Sequence, residues 1–402
     1  MRIIAFSTLD ELTPYADQWD RLAAGAPFVS WSWLSHWWRH YGGDSCEHRA
    51  GSRLFVPCVF DNAGVLIGAA PWYIDSSGPC GRVVRWLGSG EVCSEYVGIL
   101  CNQAVESQVV ETIADYLCEG GRATTGAIVN WDLLELSAVD AQDSATNRFV
   151  LAMAQRGSAV HRRLGPNCWR VQLPPSWEEY TAAMSKSHRK QLRHFDRDLF
   201  DPGRATLHTV ERLQDLSLAT ELLIDLHQRR QQSLGEAGCF ASPRFAAFHR
   251  SVMPDLLRAG QLQLHWLQLD GRPIAVEYAL AGNGIVYNYQ GGVDPDRLDQ
   301  SPGRAITAAM LRRAIQQGRR AVDFLRGDEP YKAHFRAEPR PTYNFRVVAD
   351  RPSARLRNNL WLAGSNVKQW IKGGVCRQRS ADAVENSRPR RWQLLTPESP
   401  GS

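Results

Sequence analysis

Tyr287-Asn288-Tyr289-Gln290-Gly291-Gly292-Val293, followed after a short connection by Gln300-Ser301-Pro302-Gly303-Arg304-Ala305, decides how this chain reads. The first segment is a strand running into a loop and the second opens a helix. Ser301 suits the N-cap, Pro302 the first helical position, and Gly318 the residue just past the C-terminus. Ile306, Met310 and Ala314 recur at helical spacing and predict a face packed on a sheet. A strand that passes through a Gly-containing loop into such a helix leaves several N–H groups pointing at one spot, which suits a pyrophosphate. Gly303 lets phosphates approach the backbone closely. Ser-Pro-Gly is also an ordinary helix start, so the elements on either side have to decide between the two readings.

Downstream of that helix the pattern predicts a strand at 321–325, a short helix at 330–335 and a strand at 342–348. Upstream, from Pro174, it predicts a basic helix at 178–199, a strand at 205–210, helices at 213–234 and 243–259, and strands at 262–269 and 273–281 around an Asp270-Gly271 turn. The first part of the chain, residues 2–171, reads in the order β-α-α-β-β-β-α-β-α-β, and the second half repeats it after its leading helix. The fold expected is therefore α+β, a mixed α/β chain with two tandem copies of one architecture, each a mixed sheet flanked by helices. The turn-rich Gly165-Pro166-Asn167 sets the expected division: residues 1–165, residues 166–348 and a basic tail, 349–402.

Composition agrees with two packed domains, since 402 residues with 44% hydrophobic and 22% charged side chains exceed one ordinary core. The net charge of +5 is uneven: residues 351–402 carry ten Arg and Lys against three acids, which leaves −2 for the first 350 residues. A folded body of that charge argues against DNA or RNA as a partner. Nine cysteines without a C-x-x-C pair, and His36 and His40 without the Glu of H-E-x-x-H, predict reduced thiols and no metal. No apolar run approaches the roughly 18 residues of a transmembrane span, and the start of the chain lacks a signal-peptide core. The expected location is cytoplasmic, at most peripheral at the inner face of a membrane. G-x-S-x-G and G-x-x-x-x-G-K-[ST] are both missing, which removes the easiest routes to a hydrolase or a P-loop enzyme.

Gln300-x-x-Gly303-x-Ala305 resembles the Q/R-x-x-G-x-G/A pyrophosphate loop of GNAT-type acyltransferases. Asp323-Phe324-Leu325-Arg326-Gly327-Asp328-Glu329-Pro330-Tyr331-Lys332 resembles the D-F-x-x-G-x-x-x-Y-K signature of the CelD/BcsL-like acetyltransferases, a family linked to cellulose and other exopolysaccharide pathways. FemAB-like peptidyltransferases share the duplicated fold and a basic helix comparable to Lys186–Arg193. The resemblance implies two tandem GNAT-like domains, with acetyl-CoA or another acyl-CoA as donor substrate in the second and an acceptor wall in the first. It also implies a small-molecule or glycan-linked acceptor and an exopolysaccharide synthase complex as partner. The donor site then comprises Gln290, Gly291, Gly292, Val293, Gln300, Ser301, Gly303, Arg304 and Ala305. An aminoacyl-tRNA-dependent peptidyltransferase and a non-catalytic scaffold are the alternatives.

Glu277, Tyr331 and Asp323 are the candidates for chemistry, with Asp328 and His334 also in reserve. Glu277, within the apolar strand Ile274–Leu280, is the expected base, because an unpaired carboxylate there would have its pKa raised; the competing reading is an outward-facing Glu. Tyr331 is the candidate acid by analogy with GNAT enzymes, or else packs across the sheet end. Asp323 is a reserve base, or a structural partner of Lys332 or Arg326; His334 is a further reserve. Lys332, Asp328, Arg189 and Arg193 are candidates for substrate binding, against solvated-surface and turn readings. Trp33, Trp37 and Tyr41, at i, i+4 spacing, read as a core face. The tail places Leu356, Leu360, Val367 and Ile371 at near-helical spacing, which fits an anionic membrane surface, a synthase partner or a loosely docked terminus.

Overall fold

The computed structural model describes residues 1–43, 51–120, 124, 130–376 and 392–395, with backbone only at 365–376. Strands follow in the order β1 (Arg2–Phe6), β2 (Ser52–Phe60), β3 (Leu66–Ala69), β4 (Trp72–Asp75), β5 (Val83–Trp86), β6 (Leu100–Cys101), β7 (Leu133–Asp140), β8 (Ala159–Leu164), β9 (Cys168–Gln172), β10 (Ala205–Thr209), β11 (Leu262–Leu269), β12 (Arg272–Gly282), β13 (Ile285–Val293), β14 (Ala321–Arg326), β15 (Glu338–Arg340), β16 (Thr342–Val348) and β17 (Gln393–Leu395). Between them lie α1 (Leu9–Leu12), α2 (Ala16–Ala23), α3 (Trp31–Tyr41), α4 (Glu106–Cys118), α5 (Ser144–Gln155), α6 (Trp177–Ala182), α7 (Lys186–Phe195), α8 (Leu213–Ser233), α9 (Pro243–Arg258), α10 (Pro302–Gln316), α11 (Pro330–His334) and α12 (Pro352–Cys376).

Two mixed sheets result. One runs β17-β8-β16-β7-β5-β4-β2-β3-β6, with β1 also on β2, and the other runs β10-β11-β12-β13-β14-β9-β15. Each contains one parallel pair, β5 with β7 and β13 with β14. The two sheets do not divide the chain as its sequence suggests. The segment 342–348, expected to close the second half, lies between β7 and β8 in the first sheet. β9 in turn sits between β14 and β15 in the second. The chain passes from one sheet to the other at Gly165–Asn167 and again at Pro341, and the passages hold each other: Gly165 N–H donates to Thr342 O at 2.8 Å and Thr342 Oγ1 to Pro166 O at 2.7 Å. Alternation of apolar residues marks a strand but carries no information about which sheet receives it.

Trp33, Trp37 and Tyr41 are buried, as their spacing predicts. Their helix packs on α9 of the other half: the Trp33 ring lies 5.0 Å from Phe248 and 5.6 Å from Tyr289, and Phe28 lies 5.6 Å from Tyr287. His36 spends both ring nitrogens across the same boundary, on Ser251 at 3.1 Å and Asp255 at 2.9 Å. One continuous apolar core therefore joins both sheets. A second, smaller core lies between the second sheet and α6, α7 and α10. On α12, Leu356 and Leu360 are exposed; the side chains of Val367 and Ile371 fall outside the described residues.

Candidate active site

β13 pairs with β14 only over Ile285–Tyr287, then departs from it while keeping β12 as far as Val293. A bulge at Tyr289 accompanies the departure, since Tyr278 opposes Gln290 but Ala279 opposes Asn288. From Asn288 onward one edge of β13 has no strand paired to it among the described residues, which leaves a seam between β13 and β14. Gly292 is obligatory here. A Cβ at this position would fall 2.3 Å from the backbone N of His227, because α8 rests on the strand. Gly291 is exposed, and a Cβ there would point to the Glu277 side of the sheet.

The connection from β13 to α10 is held by Arg229 of α8, whose Nη2 donates to Asp294 at 2.6 Å and Asp296 at 3.1 Å. It ends at Ser301, which occupies the left-handed region at φ 50°, ψ 48°. Ser301 therefore corrects one expectation: it stands at the N-cap position, but its side chain makes no capping bond. Pro302 is the first helical residue and is buried, and Gly318, at φ +66°, follows the C-terminus as expected. Among the described residues no group of the protein accepts from the N–H of Gly303 or Arg304. Ser301 and Gly303 are half-buried and Arg304 is exposed, so the start of α10 reaches the surface with the helix dipole behind it, the candidate anion cradle. A Cβ at Gly303 would meet only Val293 Cγ1, at 3.4 Å. Ala305 is buried against the sheet, and Gln300, whose amide donates to Asp299 at 2.6 Å, borders the cradle. The His188 and His334 rings lie 4.9 Å apart, tilted at 42° to each other, and burial first, then His334 and Arg304, hold His188 below its ordinary value. Three nitrogen-bearing side chains thus cluster by the start of α10.

Glu277 stands one helical turn from the cradle. It is 5% exposed, and Thr307 Oγ1, which also lies 2.8 Å from Gly303 O, donates to its Oε1 at 2.7 Å. Oε2 has no hydrogen-bond partner among the described residues. Burial pushes this carboxyl up to about 7, with Thr307 and then Asn288 pulling it back part of the way. Tyr331 opens α11 with its ring 6.1 Å from Phe324 and is 37% exposed; burial, then the Glu277 charge, then Glu329 push its phenol up. The structure thus brings together a buried carboxyl whose pKa burial raises, a phenol whose pKa burial also raises, and the start of α10.

Other candidates are spent elsewhere. Lys332 is 2% exposed, and its Nζ donates to the carbonyls of Leu325, Arg326 and Gly327 at 3.2, 2.8 and 3.1 Å while pairing with Glu329 at 2.9 Å. It ties the 325–329 loop together and has no donor left for a substrate. Asp323 is fully buried, with Oδ2 accepting from Tyr96 at 2.6 Å and Arg170 at 2.8 Å and Oδ1 from Leu325 N–H at 2.8 Å. It joins the two halves and is no base. Asp328 Oδ1 accepts from Trp169 Nε1 at 3.0 Å and Asn167 at 3.3 Å, which fastens the loop to β9. Arg189 donates to Ala182 O and Met184 O at 2.9 and 2.8 Å, closing the end of α6. Arg193 is exposed on the same helix.

Sequence reading overlooked the loop at 88–96 of the first half, which reaches this site. Besides Tyr96, it sends Glu95, buried, to an ion pair with Arg326, and the Val92 carbonyl to the Tyr289 hydroxyl at 2.6 Å. It also overlooked Thr307, Arg229 and His227. None has a local signal, because each acts on a residue distant in the chain.

Among the described residues no group of three or more His, Cys, Asp or Glu side chains is placed to hold a metal, and no helix is long and apolar enough to cross a membrane. Residues 186–333 match the acetyltransferase (GNAT) domain family. No curated protein sequence matches the chain. Among solved structures it is similar to FemX, with TM-score 0.59 and 10% identity over 89% of this chain and 99% of that one. It also aligns with the C-terminal domain of a putative lysylphosphatidylglycerol synthetase from Agrobacterium fabrum, with TM-score 0.48 and 11% identity over 86% and 95% of the two chains. A tandem GNAT protein from the clavulanic acid biosynthesis pathway aligns with TM-score 0.41 and 12% identity over 87% and 99%. The chain has a mixed α/β fold with two mixed sheets, and the start of α10, Glu277 and Tyr331 all lie within the residues that match the acetyltransferase (GNAT) domain family.

Proposed function

We propose that the protein transfers an acyl group from acyl-CoA to an amine or hydroxyl of a sugar-linked or cell-envelope acceptor. The observation that carries this reading is the solvent-open cradle at Gly303 and Arg304 beside the unpaired edge of β13, with Glu277 and Tyr331 at the same place. The donor's pyrophosphate lies on the α10 amides and its pantetheine along the seam, so that the thioester carbonyl meets N–H groups of β13. Such donors contribute about 3 to 4 kcal/mol where they have been removed. The acceptor attacks the thioester carbonyl, Glu277 takes its proton, and Tyr331 protonates the departing sulfur. The first half forms the opposite wall through its 88–96 loop. The acceptor class, and a place in exopolysaccharide production beside a synthase complex, rest on the Asp323–Lys332 signature.

Thermal shift of the full chain against acetyl-CoA, desulfo-CoA and charged tRNA tests the reading, because a ligand that binds only the folded state raises Tm. Stabilisation by the two CoA species supports it. Stabilisation by tRNA alone replaces it with a FemAB-like peptidyltransferase, and no shift with any of them leaves a scaffold.

A further inference from the structure

The connection between α8 and α9 brings a thiol and an imidazole to the open seam. His227 is buried near the end of α8 and its Nδ1 lies 2.9 Å from the carbonyl oxygen of Gly291. A carbonyl has no proton to give, so Nδ1 carries the N–H and Nε2 of the neutral ring is left as an acceptor. Burial, which holds His227 below its ordinary value, keeps the ring neutral. Nε2 faces the Sγ of Cys239 at 3.3 Å, where the thiol is the donor. The row of carbonyl, imidazole and thiol is the arrangement an activated nucleophile requires: a base within reach, oriented by a third group.

Position is fixed as tightly as the tautomer. α8 lies against Gly292 so closely that no Cβ fits between them, and the edge of Phe240 covers the His227 ring at 5.2 Å. Gly291 belongs to the part of β13 that has left β14, and Cys239 is half-buried in the loop beside it. One imidazole thus separates this thiol from the backbone of β13 along which the proposed donor lies. Burial pushes the Cys239 thiol up to about 12, so no standing thiolate is present and its proton has to move as the new bond forms. His227 is placed to receive it.

We propose that Cys239 is an acyl-carrying nucleophile with His227 as its base, an inference that rests on the acyl-CoA reading above and adds a protein-bound thioester to it. Sγ bonds to the acyl carbonyl carbon while its proton passes to Nε2. The bond from that carbon to the CoA sulfur then breaks, and the CoA sulfur leaves with the proton of Tyr331 while Nε2 keeps the one from Sγ. One thioester has replaced another, so no oxidant or energy source is needed. The acceptor attacks the thioester on Cys239, Glu277 takes the acceptor's proton and passes it on to Tyr331, and the departing Sγ regains its proton from Nε2.

The test mixes the reduced full chain with acetyl-CoA and, in parallel, octanoyl-CoA. Acid-quenched samples are read by intact and peptide mass spectrometry, and calorimetry measures CoA binding on the same protein. The expected result is one acyl group on Cys239, released by hydroxylamine and absent from Cys239→Ala, with CoA affinity in that variant unchanged within about 2-fold. His227→Gln should acylate at least about 100-fold more slowly, the lower end of what a positioned base contributes. The half-buried thiols Cys93 and Cys101 are internal controls, and preference for Cys239 over them in the unaltered chain decides the matter if His227→Gln does not fold. CoA binding without acylation of Cys239, or equal acylation of Cys93, overturns the relay and leaves the acyl-CoA reading standing. Failure to bind CoA overturns both.

Discussion

Glu277→Gln separates a carboxyl held near neutrality from an ordinary one. The Glu277 carboxyl titrates at about 7 in the folded chain against an ordinary value of 4.5, so between those two pH values the folded state holds a proton that the unfolded state has lost. Stability therefore falls as pH rises through this window. Below 4.5 both states are protonated and the group costs nothing electrostatically; above 7 the cost is complete. Each pH unit is worth about 1.4 kcal/mol, so the separation of 7 from 4.5 amounts to about 3 kcal/mol. Glutamine keeps an oxygen for Thr307 and places an amide where Oε2 has no partner, a penalty independent of pH that cancels when two pH values are compared. Between pH 5 and pH 8 the variant should gain about 2 to 3 kcal/mol on the unaltered protein. Urea unfolding followed by tryptophan fluorescence measures both proteins at both pH values. Parallel stability curves, differing by less than about 0.5 kcal/mol in their pH dependence, would refute the raised carboxyl and with it the base. An acidic limb near pH 7 that persists in the variant's rate profile would acquit Glu277 independently.

Gly303→Leu should abolish acetyl-CoA binding in calorimetry and leave the melting curve near that of the unaltered protein, since its Cβ meets only a Val293 methyl while the side chain fills the cradle; unchanged affinity would remove the donor site. Lys332→Met should cost about 3 kcal/mol in urea unfolding, because three carbonyls and Glu329 lose their charged partner; a loss under 1 kcal/mol would return Lys332 to the surface. Tyr331→Phe should lower turnover by about 100-fold or more with little change in KM, and an unaltered rate would leave the ring as packing alone.

The boundaries of α10 were legible because their signals are local. Pro302 at a helix start, Gly303 beside it and Gly318 past the end are decided by φ, ψ and missing N–H groups within a few residues. Glu277 was legible for a related reason: a carboxylate in an apolar strand is conspicuous whichever face it takes. Lys332 and Asp323 misled because a charged residue in a loop signature looks available, and only folding shows its donors and acceptors already taken. Thr342–Val348 was correctly read as a strand and given to the other sheet, since the period of two is the same in both.

By itself, then, the sequence determined the kinds of elements, their order and the start of α10 at Pro302, all of which follow from backbone sterics and short-range periodicity. Tertiary structure alone decided that the chain crosses between sheets twice, that Tyr96 and Glu95 of the first half close on Asp323 and Arg326 of the second, and that His227, 64 residues before Gly291, meets its carbonyl. Those contacts depend on where distant segments lie in space, and that is fixed by burial of a core shared across both halves, to which no short window of sequence has access.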